Sequence, residues 1–386
     1  MKLLINTSTL YVGGGLQVAL SFIHELINIK DNNNYYIFLS LAINKQINKN
    51  NFDDRFKFYL IETSPAKIIT RNKVNKILNT LEKKINPDIV FTIFGPSYWK
   101  PSAIHLLGFA DGWVYNPNSI VFNKLSFIKR IKMRMLSKYK LHHLHKNADY
   151  YVLETEDAIT KLSSIMKSEI DKFYVVGNTY NNVFDSTLYI NNTNEFYKKL
   201  PVKEINEFRF MYIAHNHPSK NLGIIKFLIP FLKDYNIKFV LTIDEVSYEN
   251  LFKDTDAKDY IMNIGSIDVI SCPSIYHQCD ALFAPTLLET FSAAYPEAMK
   301  MNKPILTSEY SFAIDICKDA ALYFDPLNPK EIANKIKQLI KNKNLQNKLI
   351  EEGNKRLKEF ETSYSRAKKY IDICENIIKK ENNVQK

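Results

Sequence analysis

The chain has 386 residues, of which 46% are hydrophobic and 13% aromatic. At roughly 100–200 residues per domain, this length predicts about two domains, each with enough apolar side chains for a buried core. The composition excludes a disordered chain, and 10 glycines and 14 prolines exclude a collagen-like or low-complexity chain. No run of about 18 apolar residues occurs, so we expect no transmembrane helix. The opening residues 1–6 are too short for a secretion signal and instead predict a first strand.

The formal charge of +11 is concentrated in the first half of the chain. Residues 1–185 contain 24 basic and 15 acidic side chains, whereas residues 186–386 contain 28 and 26. This asymmetry indicates an anionic partner for the first half. The alternative is a compositional bias, because Lys, Asn and Ile are abundant throughout, but that bias explains the total charge better than its distribution.

The second half contains four cysteines, which are Cys272, Cys279, Cys317 and Cys374. They form no C-x-x-C pair, and no Cys/His cluster has the spacing of a zinc site. We therefore expect buried, reduced thiols in a cytoplasmic protein. The tripeptide Asp254-Thr255-Asp256 lies in a polar stretch without a preceding strand, and we interpret it as solvated surface. The sequence thus predicts no metal site.

Strands and helices alternate through the first half. Apolar runs predict strands at residues 3–6, 35–39, 57–61, 88–94, 104–109, 150–153 and 172–176. Helical spacing predicts helices at residues 17–29, 66–84, 122–147 and 158–166. A glycine loop, Gly13-Gly14-Gly15, follows the first strand but lacks the G-x-G-x-x-G pattern of a dinucleotide site. Close approach of a ligand phosphate or sugar to Gly14 and Gly15 is one interpretation, and a simple tight turn is the other.

The alternation restarts after residues 186–207, which lack periodicity and are interpreted as a linker. Strands are predicted at residues 208–214, 238–243, 260–264, 281–284, 304–307 and 322–324. Helices are predicted at residues 222–235, 274–279, 295–301, 331–341 and 345–380, and Pro296 favours a helix that begins at that residue. The repeated pattern predicts two α/β domains with parallel sheets and a cleft between them.

The segment 285–299 carries the strongest chemical signal. Glu289 and Glu297 stand eight residues apart, after a strand and near the start of a helix. On one helix they would point about 80° apart, which disfavours a shared metal ion. If Glu289 lies in the loop, it can face a ligand at the strand ends, and amides near Phe291 and Ser292 can bind a phosphate. Glu297 can then accept hydrogen bonds from two vicinal hydroxyls, an arrangement that fits a nucleotide-sugar.

This segment resembles the E-x7-E region of retaining glycosyltransferase family 4, whose members have the GT-B fold. Other residues follow the family's order along the chain, namely Gly13–Gly15, Thr155-Glu156, Val176-Gly177-Asn178, residues 265–271, Tyr276, Cys279-Asp280, Pro285-Thr286, Ala298-Met299, residues 303–308 and Asp325-Pro326. The E-x7-E spacing alone is a weak signal, whereas the ordered set covers nearly the whole chain. The resemblance implies an α/β, GT-B protein with two facing Rossmann-like domains and a cleft between them.

The resemblance also implies a division of labour between the domains. Residues 1–185 would form the acceptor-side domain, residues 186–207 the linker, and residues 208–361 the nucleotide-sugar donor domain. A C-terminal helix at about 362–386 is a candidate to pack back on the first domain.

The family's functional residues can be placed on this sequence. Glu289 would lie beside the transferred sugar and Glu297 beside the ribose, while the amides of Phe291 and Ser292 would bind the diphosphate. Lys220 matches the family lysine that neutralises the phosphates and stabilises charge on the departing nucleotide. The alternative for Lys220 is one solvated lysine among many.

Two positions depart from the family's pattern. The family's arginine before Lys220 is missing, so His215 or His217 is the candidate replacement in donor binding, with a less certain charge at pH 7. The family's histidine at the end of a middle strand is absent as well, and Asp111 occupies that end as a candidate catalytic group. His105 lies in mid-strand, a position that favours a packed core residue.

The predicted helix 122–147 holds eight Lys and Arg side chains, and no acidic residue occurs between Asp111 and Asp149. A basic amphipathic helix can lie on an anionic membrane, and Phe122 and Phe127 could insert there. Four more basic residues could help, namely Lys67, Arg71, Lys73 and Lys76. Nucleic acid is a less favoured partner, because no nucleic-acid-binding motif accompanies the helix. The remaining interpretation is an ordinary solvated basic face.

The resemblance therefore predicts a retaining, metal-independent glycosyltransferase of the hexosyltransferase type, without a cofactor. It would transfer a sugar from a nucleoside diphosphate sugar to a glycan or polyprenyl-linked acceptor in bacterial surface polysaccharide assembly. We expect a cytoplasmic protein, with peripheral attachment to the inner face of the membrane as a candidate. A sugar-nucleotide epimerase of the same fold and a non-catalytic glycan-binding relative are the alternatives.

Overall fold

A computed structural model describes residues 1–186 and 199–384. Its strands are β1 Lys2–Asn6, β2 Asn34–Ser40, β3 Phe56–Ile61, β4 Ile89–Thr92, β5 Ile104–Gly108, β6 Tyr150–Leu153, β7 Phe173–Val175, β8 Phe208–Tyr212, β9 Ile237–Leu241, β10 Ile261–Asn263, β11 Ala281–Ala284, β12 Ile305–Ser308 and β13 Ala321–Phe324. Its α-helices are α1 Gly14–Glu25, α2 Leu41–Asn44, α3 Arg71–Ile85, α4 Gly112–Tyr115, α5 Phe127–Asn147, α6 Glu156–Met166, α7 Ile225–Leu232, α8 Glu245–Phe252, α9 Cys272–Gln278, α10 Ala294–Lys300, α11 Ser311–Cys317, α12 Pro329–Lys341, α13 Lys343–Leu357 and α14 Ser363–Val384.

The chain forms two compact units. The first comprises Met1–Pro117, Phe127–Asn178 and Glu361–Lys386, and the second comprises Asn118–Ser126 and Thr179–Phe360. Helix α14 therefore belongs to the first unit, although it follows the whole of the second unit in sequence. Residues 118–126 differ from expectation, because they leave the first unit and pack in the second.

A seven-stranded parallel sheet organises the first unit, in the order β3-β2-β1-β4-β5-β6-β7. Leu3 of β1 pairs with Tyr35 on one side and Ile89 on the other. Every residue of β4 and β6 is buried, as expected for parallel strands covered by helices on both faces. Strands β2 and β3 follow β1 on one side of the sheet, and the chain then crosses to the other side, where β4 to β7 follow. The carboxyl ends of β1 and β4 therefore form the switch point where ligands of such sheets bind.

The second unit repeats the arrangement with a six-stranded parallel sheet, in the order β10-β9-β8-β11-β12-β13. Leu282 of β11 pairs with Met211 of β8 and with Ile305 of β12. Its switch point lies between β8 and β11. The two sheets confirm the predicted α/β class with two parallel-sheet domains.

Helix α14 is held against the first sheet by an aromatic cluster. The ring of Tyr370 lies 5.4 Å from that of Phe22 in α1 and 5.0 Å from that of Phe91 in β4. Arg366 in the same helix donates hydrogen bonds to Ser21 and Asn178. Apolar burial and a buried guanidinium therefore fix α14 on the first unit.

The predicted helix 122–147 is wrong in its first turn. Residues Ile120–Lys124 form a 3-10 helix, and α5 begins only at Phe127. Val121 and Phe122 are buried in the second unit, whereas Phe127 is 73% exposed in the first. Phe122 is therefore unavailable for membrane insertion. Hydrophobic periodicity runs across this break because both parts are helical, although they pack in different units.

Other boundaries differ as well. The helix predicted at 345–380 is two helices, α13 and α14, which belong to different units. Helices α8 and α11 were not predicted, and α8 is capped by the Asp244 carboxylate, which accepts a hydrogen bond from the amide of Ser247. All four cysteines are buried with free thiols, as expected. No helix in residues 1–186 and 199–384 combines the length and apolar character needed to cross a membrane.

The predicted linker 186–207 is only partly described, since residues 187–198 lie outside the described residues. In its last part, Leu200 and Glu207 are buried, whereas residues 201–206 are exposed. The amide of Leu200 donates to the Gln278 side chain at 2.8 Å, and Lys203 pairs with Asp280 at 2.6 Å. Leu200 and Lys203 therefore attach this part of the predicted linker to the second unit.

Candidate functional site

Two loops meet at the switch point of the second unit. One follows β8 and contains a 3-10 turn, Pro218–Lys220, and the other follows β11 and contains Glu289. The backbone amide of Leu287 donates to the carbonyl oxygen of Ser219 at 2.7 Å. This bond ties the two loops together, and it brings the side chains of Lys220 and Glu289 to the same place.

Lys220 and Glu289 form an ion pair, with the Lys220 ammonium donating to Oε2 of Glu289. Each side chain is 20% exposed, so the pair is largely removed from water but still reachable by a ligand. Burial opposes the charge of Lys220, but the negative charge of Glu289 outweighs it and raises the lysine's pKa above its ordinary value. Lys220 therefore carries a positive charge throughout the physiological pH range.

Tyr212 contacts the lysine of this ion pair, and Thr286 is hydrogen-bonded to Tyr212. The Lys220 Nζ atom lies 5.7 Å from the centre of the Tyr212 ring, within range of a cation–π contact. The Tyr212 and Thr286 hydroxyls are hydrogen-bonded at 2.6 Å, and both residues are buried. Since Tyr212 ends β8 and Thr286 follows β11, this bond links the two strands beneath the charged pair.

Asn221 fixes the exit of the first loop. Its φ angle of 53° lies in the left-handed region, which asparagine tolerates better than most residues. Its side-chain amide donates to the carbonyl oxygen of Pro326 at 3.1 Å. The loop that carries Lys220 is thereby tied to the chain after β13 as well as to the loop after β11.

Glu297 lies in α10 and is partly buried. The hydroxyl of Tyr276, a fully buried residue of α9, donates to its Oε2 at 3.0 Å. Burial raises the pKa of Glu297 to about 7, against the hydrogen bond from Tyr276, which lowers it. The side chain is thus poised to change its charge near neutral pH.

The amides proposed for phosphate binding precede α10. Those of Phe291 and Ser292 donate to no other residue within the described part of the chain, so their hydrogen-bonding capacity is unused. The Phe291 ring is fixed by an edge-to-face contact with Phe360 at 6.1 Å. Helix α10 begins at Ala294, two residues before the predicted start at Pro296. Proline fits there because the first amides of a helix need no partner within it.

The two candidate histidines of the second unit are both exposed. His217 is used locally, because its Nδ1 accepts a hydrogen bond from the amide of Ser219 and contacts the Ser219 hydroxyl at 2.8 Å. His215 lies close enough to Asp244 to lower the pKa of that carboxyl, after the larger effect of the hydrogen bonds from Ser247. His217 therefore shapes the Lys220 turn, and His215 is the freer of the two imidazoles.

The remaining candidates lie in the first unit. Asp111 follows β5 and caps α4, accepting from the amide of Trp113 at 3.1 Å, and it pairs with Lys140 of α5 at 2.6 Å. Gly14 and Gly15 begin α1 after Gly13, whose φ of 80° requires glycine. Asp111, Gly14 and Gly15 belong to the first unit, whereas Lys220 and Glu289 belong to the second.

The two glycines differ in the space around them. A Cβ atom at Gly15 would lie 3.2 Å from the Phe94 ring, whereas one at Gly14 would meet nothing within 4 Å. A larger residue at position 15 would therefore require the Phe94 ring to shift by a few tenths of an ångström. Gly14 leaves the loop open on the side where a ligand could approach.

His105 is a core residue, as its mid-strand position predicts. It is 1% exposed, and its ring nitrogens contact the hydroxyl of Thr92 at 2.8 Å and the carbonyl oxygen of Asn147. Burial lowers the pKa of His105 to about 4, so the ring is neutral near pH 7. Nowhere in residues 1–186 or 199–384 do three His, Cys, Asp or Glu side chains gather to hold a metal ion.

Sequence reasoning missed the residues that hold the charged groups in place. Tyr212 looks like an ordinary residue of a strand end, and Asn221 carries only a weak turn signal. Thr286 stands among the residues that follow the family's order, but the sequence did not indicate its contact with Tyr212. Tyr276 stands among the residues that follow the family's order, but the sequence did not indicate its contact with Glu297. Spacing along the chain carries no information about such contacts, because they form between elements that are distant in sequence.

Comparisons with known proteins bear on the family and the fold. Residues 195–356 match the family model described as "Glycosyl transferases group 1". The O-antigen chain mannosyltransferase RfbU of Salmonella typhimurium is 24% identical over 217 residues, which cover 55% of this chain and 56% of RfbU. The chain thus matches about half the length of the curated relatives it resembles.

Solved structures match over nearly the whole chain. A glycosyltransferase from Rickettsia africae has a TM-score of 0.71 at 17% identity, covering 98% of both chains. HepE from Anabaena, solved with UDP and glucose, has a TM-score of 0.70 at 12% identity, covering 97% of this chain and 100% of HepE. At these identities the likeness establishes the fold, which is the two-sheet GT-B fold of glycosyltransferases, and the family match lies in the half that carries Lys220, Glu289 and Glu297.

Proposed function

We propose that this protein is a glycosyltransferase that takes a sugar from a nucleoside diphosphate donor. The Lys220–Glu289 ion pair at the switch point of the second unit carries the proposal. A lysine that stays charged can stabilise the negative charge that develops on a departing diphosphate, while the free amides of Phe291 and Ser292 add hydrogen bonds. The family match over residues 195–356 supports the same reading.

Glu289 and Glu297 receive different roles in this proposal. A donor phosphate would compete with Glu289 for the Lys220 ammonium and so leave the Glu289 carboxylate facing the transferred sugar. Glu297 would accept hydrogen bonds from the ribose hydroxyls. The reaction would proceed with retention, by front-face attack, without a metal and without a covalent intermediate, as in the family that the sequence resembles.

The first unit would supply the acceptor side. Asp111, Gly14 and Gly15 are the candidates there, and a hexosyl donor with a glycan or polyprenyl-linked acceptor in surface polysaccharide assembly is the class we propose. The similarity to RfbU, whose name describes an O-antigen chain mannosyltransferase, supports this class.

Donor binding and donor hydrolysis test the proposal together. A thermal-shift screen against UDP-, GDP- and ADP-sugars identifies the donor, because a ligand at 100 times its Kd stabilises the folded state by about 2.7 kcal/mol. The donor that binds should then be hydrolysed slowly without acceptor. Glu289→Gln should reduce this rate and leave the affinity for the nucleotide nearly unchanged.

The same experiment separates the alternatives. An epimerase would convert the donor into a second nucleotide-sugar without releasing free nucleotide, and a glycan-binding relative would neither bind nor cleave it. Either result would overturn the proposal.

We also propose that the first unit docks on an anionic membrane surface through α5. Four apolar side chains of its first half, Phe127, Ile128, Ile131 and Met135, are exposed and lie within about 100° of one another around the helix. Lys132, Arg134 and Lys138 are exposed close to this stripe. Apolar residues edged by cations suit the interface between headgroups and acyl chains.

A second exposed element lies near α5. Ile68 and Ile69 are 72% and 99% exposed in the turn before α3, beside Lys67. Arg71 ties this turn to α5, because its guanidinium donates to the Tyr139 hydroxyl and to the carbonyl oxygen of Pro65. Arg71 therefore organises the surface and is not free to contact lipid, in contrast to the prediction from sequence.

The expected affinity is modest. Each basic side chain near an anionic surface contributes about 1 kcal/mol, so four of them give about 4 kcal/mol, near millimolar affinity, before any apolar insertion. Liposome co-sedimentation at low and high salt measures this. We expect salt-sensitive binding to anionic vesicles that Ile69→Glu and Ile131→Glu weaken. Equal binding to neutral and anionic vesicles, or none at low salt, would contradict the proposal and favour a soluble acceptor.

A further inference from the structure

Tyr276 occupies a fixed position behind Glu297. It lies in α9 and is fully buried, and its ring makes an edge contact with Phe184 at 5.5 Å. Its hydroxyl donates to Oε2 of Glu297 at 3.0 Å and lies 3.4 Å from the carbonyl oxygen of Ala294 in the first turn of α10. The core of the second unit therefore sets the position of this hydroxyl, and ligand binding does not.

The contact restrains a carboxylate that otherwise has few partners. Within residues 1–186 and 199–384, Tyr276 is the one residue that donates a hydrogen bond to the Glu297 side chain. A glutamate has three rotatable side-chain bonds, and one fixed donor on Oε2 selects among their rotamers. The lone pairs that Tyr276 leaves unused then face a defined direction.

We propose that Tyr276 is a positioning residue, which orients the Glu297 carboxylate so that it can accept hydrogen bonds from the vicinal hydroxyls of a nucleotide's ribose. This inference rests on the proposed function, since it needs a nucleoside diphosphate bound at the second unit. It assigns to the Tyr276 hydroxyl the task of orienting the Glu297 carboxylate before the nucleotide binds. Preorganisation of this kind raises affinity because less order has to be imposed on binding.

The same hydrogen bond has an electrostatic consequence. Burial raises the pKa of Glu297 to about 7, and the bond from Tyr276 acts in the opposite direction because it stabilises the charged form. Loss of the bond would shift the pKa upward and leave less carboxylate at neutral pH. Binding to the ribose hydroxyls should therefore weaken as the pH falls below about 7, and the removal of Tyr276 should move that decline to higher pH.

Other ionisable groups beside α10 are neutral or paired. Cys272 of α9 faces Glu297, and burial followed by the charge of Glu297 raises the pKa of its thiol to about 12, so it stays neutral. Lys300 of α10 is paired with Asp185 at 2.5 Å. Helix α13 meets α10 through apolar contact, where Gly353 adjoins Met299. The Glu289–Lys220 pair and the hydroxyls of Tyr295 and Thr307, which contact each other, belong to the same unit.

The test compares two forms of one nucleotide. Binding of UDP, GDP and ADP is measured by calorimetry between pH 5.5 and 8.5, and the one that binds is measured again as its 2′,3′-dideoxy form. The ratio of the two affinities isolates the ribose contact, because the titration of the diphosphate itself cancels. In the wild type we expect this ratio to fall as the pH decreases below about 7 and to level off near one, where the ribose contact is lost.

Tyr276→Phe removes the hydroxyl and keeps the ring. At pH 7 we expect the ratio of ribose to dideoxy affinity in this variant to be at least about threefold smaller than in the wild type. The midpoint of its decline with pH should lie at higher pH than in the wild type. Tyr295→Phe is the matched control, since Tyr295 is equally buried and its hydroxyl contacts Thr307 at 2.8 Å, away from Glu297. It should keep the wild-type ratio and midpoint even if it loses similar stability. Glu297→Gln should give a ratio that does not depend on pH.

A folded Tyr276→Phe variant with the wild-type ratio and midpoint would overturn the inference and leave the proposed function intact. An equal change of the affinity ratio and its pH midpoint in Tyr295→Phe would also overturn it, because a general loss of core packing would then be the cause. If the wild type bound none of the three nucleotides, the proposed function and this inference would fail together.

Discussion

The two units share one strand order around the switch point but place different chemistry there. In the second unit a charged pair, Lys220 and Glu289, joins the loops beyond β8 and β11. In the first unit the corresponding strands, β1 and β4, are joined by neutral groups, with the Asn6 amide donating to the Thr92 hydroxyl at 3.1 Å and Thr92 contacting His105. Equal topology therefore does not give equal function, because the loop residues decide which groups meet.

The polar groups at the two switch points also differ in their exposure to solvent. Asn6, Thr92 and His105 are at most 1% exposed, so they form a satisfied polar chain inside the first sheet. Lys220 and Glu289 keep 20% exposure and can exchange partners with a ligand. A polar group that is both buried and satisfied stabilises the fold, whereas one that is charged and reachable can bind or catalyse.

The largest effect is expected for Lys220→Ala. Loss of a preorganised positive charge at the diphosphate should lower turnover by at least about 100-fold. Measurement of sugar transfer or donor hydrolysis under saturating donor tests this. Lys226→Ala is the control, because Lys226 lies on α7 nearby and contacts the Phe227 ring instead. Near-normal turnover in Lys220→Ala would remove the phosphate role from Lys220, and His215 would be the next residue to test.

Glu297→Ala should weaken nucleoside diphosphate binding. The loss of hydrogen bonds to a charged acceptor costs roughly 1.5–3 kcal/mol, or about 10- to 150-fold in Kd. Calorimetry with the nucleotide alone measures the change, and Glu245→Ala, an exposed glutamate at the start of α8, should leave Kd unchanged. Unaltered affinity in a folded Glu297→Ala variant would contradict the ribose assignment.

His105→Gln should change the pH dependence of stability in the first unit. The unfolded chain binds a proton on His105 below its ordinary pKa of about 6.5, whereas the folded unit does so only near pH 4. Stability is thus lost as the pH falls through this window, by about 2 kcal/mol at pH 5 relative to pH 7. Glutamine does not titrate and should remove most of that loss.

Tryptophan fluorescence can follow this unit alone, because both tryptophans, Trp99 and Trp113, lie in it. Denaturant unfolding at pH 7 and pH 5 gives the two stabilities. His24→Gln, at an exposed position of α1, is the control and should retain the wild-type difference. If His105→Gln shows the same difference in stability between pH 7 and pH 5 as the wild type, another group causes the pH dependence.

Asp111→Asn has the smallest expected effect and decides whether the first unit takes part in the chemistry. Asparagine can keep the cap of α4 but loses the pairing with Lys140, so stability should change by less than about 1 kcal/mol. We expect turnover to fall by about tenfold through loss of a polar contact with substrate.

Asp157→Asn is a matched control, because Asp157 pairs with Lys161 at the same 2.6 Å distance and with similar exposure. Turnover of Asp111→Asn that matches this control would restrict Asp111 to capping and to the pairing with Lys140.

The sequence by itself determined the repeated parallel-sheet architecture and the charged residues of the second unit. Buried strands alternate with amphipathic helices, and that periodicity is a local property of the chain. Glu289 and Glu297 stand out by their spacing after a strand, whereas Lys220 was singled out by the resemblance to the family, and the roles of all three remain predictions.

Only the tertiary structure decided which core each element joins and which side chains meet. The sequence pattern predicts one helix over residues 122–147, yet residues 122–126 belong to the second unit and α5 to the first. The contacts of Tyr276 with Glu297 and of Lys220 with Glu289 join residues 21 and 69 positions apart. Local sequence preferences do not encode such pairs, because they depend on how whole elements pack and on the burial that results.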